Sequence, residues 1–296
     1  MADFKSGFAA IIGRPNVGKS TLLNSLLEQK LMIVSSKPQT TRNTIRAVLT
    51  RPDGQIIFID TPGIHRPKHK LGEYMVKTAR STFQEVDVIC MMVDITQWRT
   101  ADDYVAAELT GIDTPIFLIA NKSDLITVSE QEKFLRQVRD KHNFFAETIA
   151  ISAQYGTNLD KLTDTLIEYL PPGPKYYPDD WVTDYPERFI IAEFIREQIL
   201  HLTEEEIPHS VAVAVDEVKE QADKGIVKIR ATIYVERDSQ KGIVIGKRGS
   251  MLKKIGSAAR QQIEVLLGSQ VFLDLWVKVK KNWRNKPGSL SEFGYE

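Results

Sequence analysis

The sequence contains a single cysteine, Cys90, which lies inside an apolar run. One cysteine cannot form a disulfide within the chain, so a disulfide-stapled fold is excluded and a reducing compartment is favoured. No uncharged apolar run reaches the roughly 18 residues of a membrane-spanning helix, and the first residues lack the apolar core of a signal peptide. We therefore expect a cytosolic protein.

The sequence also has no net charge, because 39 basic and 39 acidic residues cancel. This balance hides an asymmetry, since the segment from Ser239 to Lys286 contains eleven lysines and arginines but only two acidic residues, Glu264 and Asp274. A basic segment on a neutral chain indicates an anionic partner, such as nucleic acid or a membrane surface. The alternative interpretation is a solvated surface with no partner.

The length of 296 residues, with 42% hydrophobic residues, suits about two domains. From residue 8 to about 170, short apolar runs alternate with amphipathic stretches, which predicts a mostly parallel sheet covered on both faces. The runs 44–49 and 55–60 flank the turn Arg51-Pro52-Asp53-Gly54, which predicts a hairpin and hence one antiparallel edge strand. The other predicted strands are 7–12, 86–93, 115–120 and 148–151, and the predicted helices are 20–29, 74–85, 102–110, 129–141 and 158–170.

The proline-rich stretch from Leu170 to Pro178 cannot continue a helix, so we place the domain boundary there. The prediction is a first domain over 1–172, a linker over 173–186, and a small α+β domain with its tail over 187–296. In the second domain we expect helices near 187–202 and 250–266 and strands at 210–217, 225–236 and 270–280.

The stretch GRPNVGKS, residues 13–20, follows a predicted strand and precedes a predicted helix. It matches the P-loop, in which glycines let backbone N–H groups turn around phosphates at a helix N-terminus. Lys19 can reach the β- and γ-phosphates, and the Ser20 hydroxyl can ligate Mg²⁺. The alternative is a plain Gly/Pro turn after a strand. The predicted contacts are Gly13, Arg14, Pro15, Asn16, Val17, Gly18, Lys19, Ser20 and Thr21.

A second predicted strand ends in Asp60 and is followed by Thr61-Pro62-Gly63. A carboxylate at the carboxyl end of a parallel strand lies beside the P-loop, where Asp60 can hold Mg²⁺ through a water molecule. Gly63 offers a backbone N–H that can approach the γ-phosphate. Alone, a strand-end aspartate is usually a cap or turn residue. We add Asp60, Thr61, Pro62 and Gly63 to the predicted nucleotide contacts.

The strand predicted at 115–120 leads into Asn121-Lys122-Ser123-Asp124. The Asp124 carboxylate can accept hydrogen bonds from N1–H and N2–H₂ of guanine, whereas adenine has no donor at either position. The stem of Lys122 can lie along the base, and Asn121 can tie this loop to the P-loop. After the next strand, Ser152 and Ala153 can add a backbone N–H for the guanine O6. We conclude that the nucleotide is GTP.

These motifs, together with QTTRN at residues 39–43, resemble those of the Ras-like GTPases related to translation factors across residues 5–170. The resemblance implies that Thr41, in preference to its neighbour Thr40, ligates Mg²⁺ when γ-phosphate is present. Many such GTPases place a glutamine where this sequence has Ile64, and an isoleucine cannot orient the attacking water. A slow intrinsic rate follows, and residues 64–71 are expected to form a mobile switch.

Asn16 is the candidate for another way of stabilising the transition-state charge. In GTPases that resemble this sequence, an asparagine at this position can ligate K⁺, which then supplies positive charge. The alternative is that Asn16 only braces the loop. The predicted catalytic residues are Lys19, Asn16, Thr41 and Gly63, and the predicted metal ligands are Ser20, Thr41 and Asp60 for Mg²⁺ and Asn16 for K⁺.

The stretch Gly246-Lys247-Arg248-Gly249, followed by a predicted helix, resembles the GxxG loop of KH domains. There the backbone approaches a single-stranded nucleic acid closely, and the helix start favours phosphate. The order helix, strand, strand, GxxG, helix, strand matches the type II topology. The predicted contacts to nucleic acid are Ile245, Gly246, Lys247, Arg248, Gly249, Lys253 and Lys280, with electrostatic support from Lys278, Lys281 and Arg284. RNA in preference to DNA is implied by the family that this loop resembles and not by the residues themselves. Trp276 and Trp283 can be core residues or can stack on bases.

A P-loop GTPase domain followed by one KH domain is the layout of the Era family of bacterial ribosome-assembly GTPases, which this sequence resembles over nearly its whole length. The resemblance implies an α/β P-loop domain, mostly parallel with one antiparallel edge strand, plus a C-terminal type II KH domain. It implies GTP hydrolysis with GTP/GDP, Mg²⁺ and, as a further candidate, K⁺, together with binding near the 3′ end of 16S rRNA in 30S subunit maturation. A monomer and peripheral association with the inner membrane face are also expected. The alternative is a GTP-binding regulator that links growth or division to the ribosome with weak hydrolysis.

Overall fold

The computed structural model describes residues 4–37, 39–63, 69–221 and 225–295. They form two compact units, the first from 4–32, 41–63 and 72–184 and the second from 33–37, 39–40, 69–71, 185–221 and 225–295. The predictions on Ile64 and on most of the switch that follows it lie outside the described residues. The predicted domain bounds stay a prediction.

The first unit is an α/β layer structure around one six-stranded sheet of order β2-β3-β1-β4-β5-β6. All neighbouring strands are parallel except β2 and β3, which form the predicted antiparallel hairpin at the edge. The predicted fold of this unit is therefore confirmed. Its strands are β1 (Lys5–Ile12), β2 (Ile45–Thr50), β3 (Gly54–Asp60), β4 (Val88–Asp94), β5 (Ile116–Asn121) and β6 (Phe145–Ile151). Its helices are α1 (Lys19–Leu26), α2 (Lys70–Ser81), α3 (Thr100–Glu108), α4 (Val128–Lys141) and α5 (Leu159–Tyr169).

The central strands of this sheet consist of continuous apolar runs because helices cover both faces. Every residue of β3, β4 and β5 is buried. Since the strands are parallel, their carboxyl ends meet at one edge of the sheet, and the register pairs Ile11 with Asp60, Asp94 with Asn121, and Asn121 with Ile151. The chain therefore delivers the polar residues that follow each strand to a single rim, where ligands bind in open α/β sheets.

The stretch after α5 packs along the hairpin of the same unit. The buried side chain of Gln55 accepts hydrogen bonds from the backbone N–H of Tyr176 (2.8 Å) and of Tyr177 (3.0 Å), and it donates to the Tyr177 carbonyl (2.9 Å). The backbone N–H of Val48 donates to the carbonyl of Val182 at 2.9 Å. The prolines end α5. The hydrogen bonds to Gln55 and Val48 then satisfy backbone N–H and C=O groups of the extended stretch, which holds it against the sheet.

The second unit is an α+β structure built on a three-stranded sheet of order β7-β8-β9. Strands β7 and β8 are antiparallel, whereas β8 and β9 are parallel, so the sheet is mixed. Its elements are α6 (Glu187–Leu202), α7 (Ile207–Ser210), β7 (Ala212–Gln221), β8 (Ile226–Val235), α8 (Asp238–Ile245), α9 (Ser250–Leu267), β9 (Gln270–Val279) and α10 (Pro287–Glu292). The fold class predicted for this part of the chain is confirmed.

Alternation along the strands decides which side of this sheet is the core. Ile229, Ala231 and Ile233 of β8 are fully buried, as are Ile255 and Ile263 of α9. Trp283 is also fully buried, and its indole N–H donates to the Ser210 carbonyl at 2.8 Å, so this tryptophan is a core residue. Trp276 is 56% exposed and is not.

Helix α8, which directly precedes the GxxG loop, is absent from the predicted element order. The sequence signal is weak because the helix has only eight residues, contains Gly242 and ends in β-branched residues, all of which lower helix propensity. The structure supplies a cap instead, since the side-chain carbonyl of Gln240 accepts from the backbone N–H of Glu236 (2.9 Å) and of Arg237 (3.1 Å). The short helices α7 and α10 were likewise not predicted.

Within the second unit, residues 33–37 and 39–40 pack against α6 through buried charged side chains. Arg196, 1% exposed, donates to the carbonyl of Thr40 and to the carboxylate of Glu193. The carboxylate of Glu197, which is fully buried, accepts from the backbone N–H of Val34 at 2.8 Å. None of the helices in the described ranges is at once long and apolar enough to cross a bilayer.

Candidate nucleotide site and nucleic-acid groove

The P-loop connects β1 to α1 in a conformation that only glycine can adopt at two positions. Gly13 has φ +151°, and a Cβ built there would lie 2.3 Å from the carbonyl oxygen of Met92. Gly18 has φ +104°, and its Cβ would lie 2.3 Å from the Nδ2 of Asn121. The two glycines thus let the loop lie directly against β4 and against Asn121 at the end of β5. Asn16, at the tip of the loop, is exposed and has a left-handed backbone conformation with φ 65°. Thr21 lies in the first turn of α1.

Lys19 is buried within the loop that it serves. Its ammonium group donates to the carbonyls of Gly13 (3.1 Å) and Arg14 (3.3 Å). Burial lowers the pKa of Lys19 from 10.5 to about 8, with Asp60 opposing this shift and Arg14 adding to it. A lysine held by backbone carbonyls in a dry site favours an anionic ligand strongly, because charges interact more strongly at low dielectric.

Three oxygen donors that the sequence predicts for Mg²⁺ lie together. The Thr41 hydroxyl is 3.3 Å from the Ser20 hydroxyl and 3.3 Å from the Oδ2 of Asp60, and the Ser20 hydroxyl is 3.5 Å from the same Oδ2. The other carboxylate oxygen of Asp60 is buried, and no described group forms a hydrogen bond with it. Hydroxyl and carboxylate oxygens are the donors that Mg²⁺ prefers, often through water, so the residues present fit this ion.

The two adjacent threonines of QTTRN point in different directions. The Thr41 hydroxyl belongs to the cluster with Ser20 and Asp60, whereas the Thr40 hydroxyl donates to the Lys37 carbonyl at 2.6 Å. Burial raises the pKa of Asp60 from 3.8 to about 6, although Lys19 and the hydroxyls of Thr41 and Ser20 lower it. The geometry therefore favours Thr41 as the ligand.

Residues 61–63 run against the P-loop. The Thr61 hydroxyl is buried and donates to the Ile11 carbonyl at 2.8 Å, so this hydroxyl braces the end of β1. Pro62 is also buried. A Cβ on Gly63 would lie 3.1 Å from the backbone nitrogen of Pro15, which brings the Gly63 backbone close to the phosphate loop.

The loop predicted to bind the base, residues 121–124, is connected to two other loops by the side chain of Asn121. The Nδ2 of Asn121 donates to the Val17 carbonyl at 2.8 Å, and its Oδ1 accepts from the backbone N–H of Ala153 at 2.9 Å. Asp124 is exposed, and its Oδ1 accepts from the Ser152 hydroxyl at 2.5 Å. The carboxylate is thereby oriented at the rim of the sheet, with its other oxygen available to a base.

Two aspartates beside this site were not predicted. The Oδ2 of Asp94, at the end of β4, accepts from the ammonium group of Lys122 at 2.6 Å. Asp102, fully buried at the start of α3, accepts from the Nε of Arg14 with both oxygens at 3.1 Å. Asp94 carries the same strand-end signal that singled out Asp60, so the sequence could have indicated it. The partner of Arg14 depends on how α3 packs and had no local signal.

The GxxG loop is a 3-10 turn, Lys247–Gly249, between α8 and α9. A Cβ on Gly246, where φ is +72°, would lie 2.8 Å from the backbone nitrogen of Met251, so this glycine is required for packing. Gly249, where φ is +77°, has no atom within 4 Å of a built Cβ. Lys247 and Arg248 between them are exposed. The loop is thus open to a ligand on the side of its second glycine.

A groove of about 490 Å³ runs from this loop between α9 and β9. Gly249 and Lys253, both predicted contacts, line its helix side, and Val271, Phe272 and Leu273 line its strand side. The strand residues were missed because their apolar pattern predicts only a sheet. Two other predicted basic contacts pair with acids of this unit, Lys280 with Glu292 and Arg284 with Glu236 (2.6 Å).

The comparisons with known proteins agree with this geometry. The profile of the family described as "50S ribosome-binding GTPase" matches residues 8–122, and the KH domain profile matches residues 206–284. The chain is 53% identical over 296 residues to a protein of Staphylococcus haemolyticus described as GTPase Era, covering 100% of this chain and 98% of that protein.

Two solved structures are similar over the full length. One is a crystal structure of Era in complex with MgGDPNP and nucleotides 1506–1542 of 16S ribosomal RNA, with a TM-score of 0.95, 42% identity and coverage of 99% of each chain. The other is a variant of Aquifex aeolicus Era bound to GDP and AlF4⁻, with a TM-score of 0.95, 42% identity and coverage of 98% and 99%. The chain therefore belongs to the Era family of GTPases, enzymes that bind and hydrolyse GTP.

Proposed function

We propose that this chain hydrolyses GTP at the rim of its α/β sheet and, through its KH unit, binds the 3′ region of 16S rRNA during maturation of the 30S subunit. The observation that carries the proposal is the convergence of Lys19, Ser20, Thr41 and Asp60 at the P-loop end, with Asp124 fixed at the base end. The role in the 30S subunit rests on membership of the Era family and on the rRNA fragment bound in a relative 42% identical to this chain.

The P-loop residues 13–21 bind the phosphates, with Lys19 facing the β- and γ-phosphates and Gly63 offering its backbone N–H to the γ-phosphate. The Ser20 and Thr41 hydroxyls ligate Mg²⁺, and Asp60 holds it through water. When bound, Mg²⁺ neutralises the charge that develops on the phosphates. Asp124 recognises guanine, Lys122 lies along the base, and Ser152 and Ala153 close its other edge.

We assign the extra positive charge for hydrolysis to K⁺ held by Asn16. Support comes from the position of Asn16, which is exposed at the tip of the loop in the left-handed region. Turnover in K⁺ should exceed turnover in Na⁺ at equal ionic strength, and Asn16→Ala should remove the difference. Equal rates in both salts for the unmodified protein would leave Asn16 only a bracing role.

The KH groove receives the single-stranded RNA, with Gly249 allowing close approach of the phosphates and Lys247, Arg248 and Lys253 supplying charge. Ile245 and Gly246 shape the loop, and Lys280, just past the end of β9, exchanges its partner Glu292 for a phosphate. We expect a cytoplasmic monomer. Peripheral membrane association stays a prediction.

The test is RNA binding by the full chain loaded with GDP or with a non-hydrolysable GTP analogue. The probe is RNA with the sequence of nucleotides 1506–1542 of 16S rRNA. Gly249→Asp places a negative charge in open space and should weaken binding at least tenfold, because it faces phosphates. Gly111→Asp is the matched control, since Gly111 has φ +83° and open space around its Cβ but lies in the first unit. Equal binding by both variants would overturn the proposed RNA site.

A further inference from the structure

Strand β9 is an edge strand whose outward side chains include two large exposed rings. Phe272 is 58% exposed and Trp276 is 56% exposed, whereas Val271 and Val277, on the core side, are 5% and 8% exposed. The two residues are four positions apart, so they lie about 13 Å apart on one side of the strand. Two exposed rings on one side of an edge strand offer π-faces to a planar partner.

This pair is continuous with the groove described above. Phe272 itself lines the groove beside α9, and Trp276 follows it along the same strand. Because side chains alternate along a strand, the groove residues Val271, Leu273 and Leu275 lie on the α9 side of β9 and both rings lie on the other side. A chain that leaves the groove reaches the rings by crossing the edge of β9 at Phe272.

The indole of Trp276 is held in place by its own strand. Its Nε1 donates to the Oδ2 of Asp274 at 3.1 Å, so the one polar group of the ring is already satisfied. The exposed surface of the ring is then an apolar π-face. A planar base fits such a face without a specific hydrogen bond, and stacking of this kind tolerates any base.

Cationic side chains flank both rings. Lys228 of β8 is the register partner of Phe272, and Lys278 follows Trp276 on the same side of β9. Lys278 is exposed and forms no ion pair with any residue in the described part of the chain. The nearby acids are engaged, since Glu217 pairs with Arg230 and Asp274 accepts from the indole. Asp274 lies between the rings and a lysine lies beside each of them, so a bound strand can stack its bases on the rings and meet a cation at either end.

We propose that Phe272 and Trp276 extend the KH groove into a stacking platform for single-stranded RNA. One base stacks on each ring, and Lys228 and Lys278 face the phosphates that lie on the outer side of each ring. This inference rests on the proposed RNA-binding function and adds to it a second, sequence-tolerant contact region.

The experiment measures affinity for the 1506–1542 RNA by the full chain over a series of salt concentrations. Trp276→Ala and Phe272→Ala should each weaken binding by about 5- to 100-fold, as loss of one base–aromatic stack does. The slope of affinity against salt should stay unchanged, because no phosphate contact is removed, whereas Lys278→Gln should reduce it. Trp276→Phe should restore most of the affinity. Val265→Ala is the control, since Val265 is an 85% exposed apolar residue on α9.

Thermal melting of each variant establishes that it is folded. Unchanged RNA affinity in Trp276→Ala and Phe272→Ala would overturn the platform, and so would weaker binding to 30S subunits without weaker binding to the RNA, which would assign the rings to a protein contact. Gly249→Asp separates the two proposals. If it abolishes RNA binding while the ring variants do not, the groove stands and the platform fails. If it has no effect, the RNA site itself fails.

Discussion

The side chain of Asn121 lies directly over Gly18, so close that a Cβ on Gly18 would come within 2.3 Å of the amide nitrogen. The same amide donates to Val17 and accepts from Ala153, so one buried asparagine joins the P-loop, the base loop and the loop after β6. Position 18 must be glycine because the Asn121 side chain occupies the space that a Cβ would need. The two hydrogen bonds of Asn121 thus fix the phosphate-binding loop relative to the loops that are predicted to bind the base.

Asn121→Ala should therefore loosen the site at both ends. Two buried backbone groups lose their partners, at about 1–3 kcal/mol each, so we expect the dissociation rate of a fluorescent GDP analogue to rise at least tenfold. Asn158→Ala is a matched control, because the Nδ2 of Asn158 also donates to a backbone carbonyl, that of Ala150, at 2.8 Å, but this bond joins only β6 to the loop that follows it. Equal dissociation rates in the two variants would contradict the bridging role.

Asp94 gives a second test of how the base loop is held. Although burial raises its pKa, the hydrogen bonds from Lys122 and Thr96 lower it overall, so the ion pair with Lys122 persists at neutral pH. The pKa of Asp94 is lower in the folded protein than in the unfolded chain. Asp94 therefore stabilises the folded state at any pH above its unfolded pKa, and this stabilisation is lost as pH falls through its folded pKa. Asp94→Asn should release Lys122 and speed GDP dissociation severalfold at pH 7.

The control for this variant is Asp103→Asn, which breaks another aspartate–lysine pair of the same unit, that with Lys141 at 2.5 Å. Asp103 is 42% exposed, and exposed pairs contribute about 0–1 kcal/mol. Dissociation of GDP should not change in this control. A similar increase in both variants would attribute the effect of Asp94 to general loss of stability.

The parts of this site that could be predicted are those whose chemistry is local. A P-loop, strand-end carboxylates and a GxxG turn depend on residue types at fixed spacings, and the parallel sheet follows from alternating periodicity, so these are legible in the sequence. The preference for Thr41 over Thr40 came from a resemblance, and only tertiary contacts give it a physical reason.

What could not be predicted depends on packing between distant segments. The bond from Arg14 to Asp102 spans 88 residues, and the contacts of Val34 and Thr40 with α6 span more than 150. Helix α8 had weak propensity and depends on the Gln240 cap and on its neighbours. Lys280 and Arg284 belong to a basic run, but the fold turns each toward an acid of the same unit.

Asp60 predicts how Mg²⁺ binding depends on pH. Burial raises its pKa to about 6, and Mg²⁺ requires the ionised carboxylate, so the apparent Mg²⁺ affinity of the GDP complex should fall as pH drops through 6. Titration of Mg²⁺ between pH 5 and 8, followed by nucleotide fluorescence, measures this. In Asp60→Asn the affinity should be weak at every pH. A pH-independent affinity in the unmodified protein would contradict this role.

The raised pKa of Asp60 also determines whether the nucleotide-free protein becomes more or less stable as pH rises. With the folded pKa above the unfolded value of 3.8, the folded state binds more protons between pH 3.8 and about 6, so the Asp60 contribution to stability decreases as pH rises through that window. Asp60→Asn removes this slope. The free energy of unfolding of the two proteins, measured by denaturant titration at pH 5 and pH 7, should converge at the lower pH.

Arg196 predicts which segment is released when one buried cation is lost. Its guanidinium joins the Thr40 carbonyl to Glu193, and breaking a buried pair by removing one partner costs about 3–5 kcal/mol. In Arg196→Met we expect faster amide hydrogen exchange in residues 33–37. The first amide to exchange faster should be that of Val34, whose N–H donates to the Glu197 carboxylate. Arg188→Met, on the same helix but exposed, should leave exchange unchanged. Slow exchange of Val34 in Arg196→Met would mean that Glu197 alone holds the segment on α6.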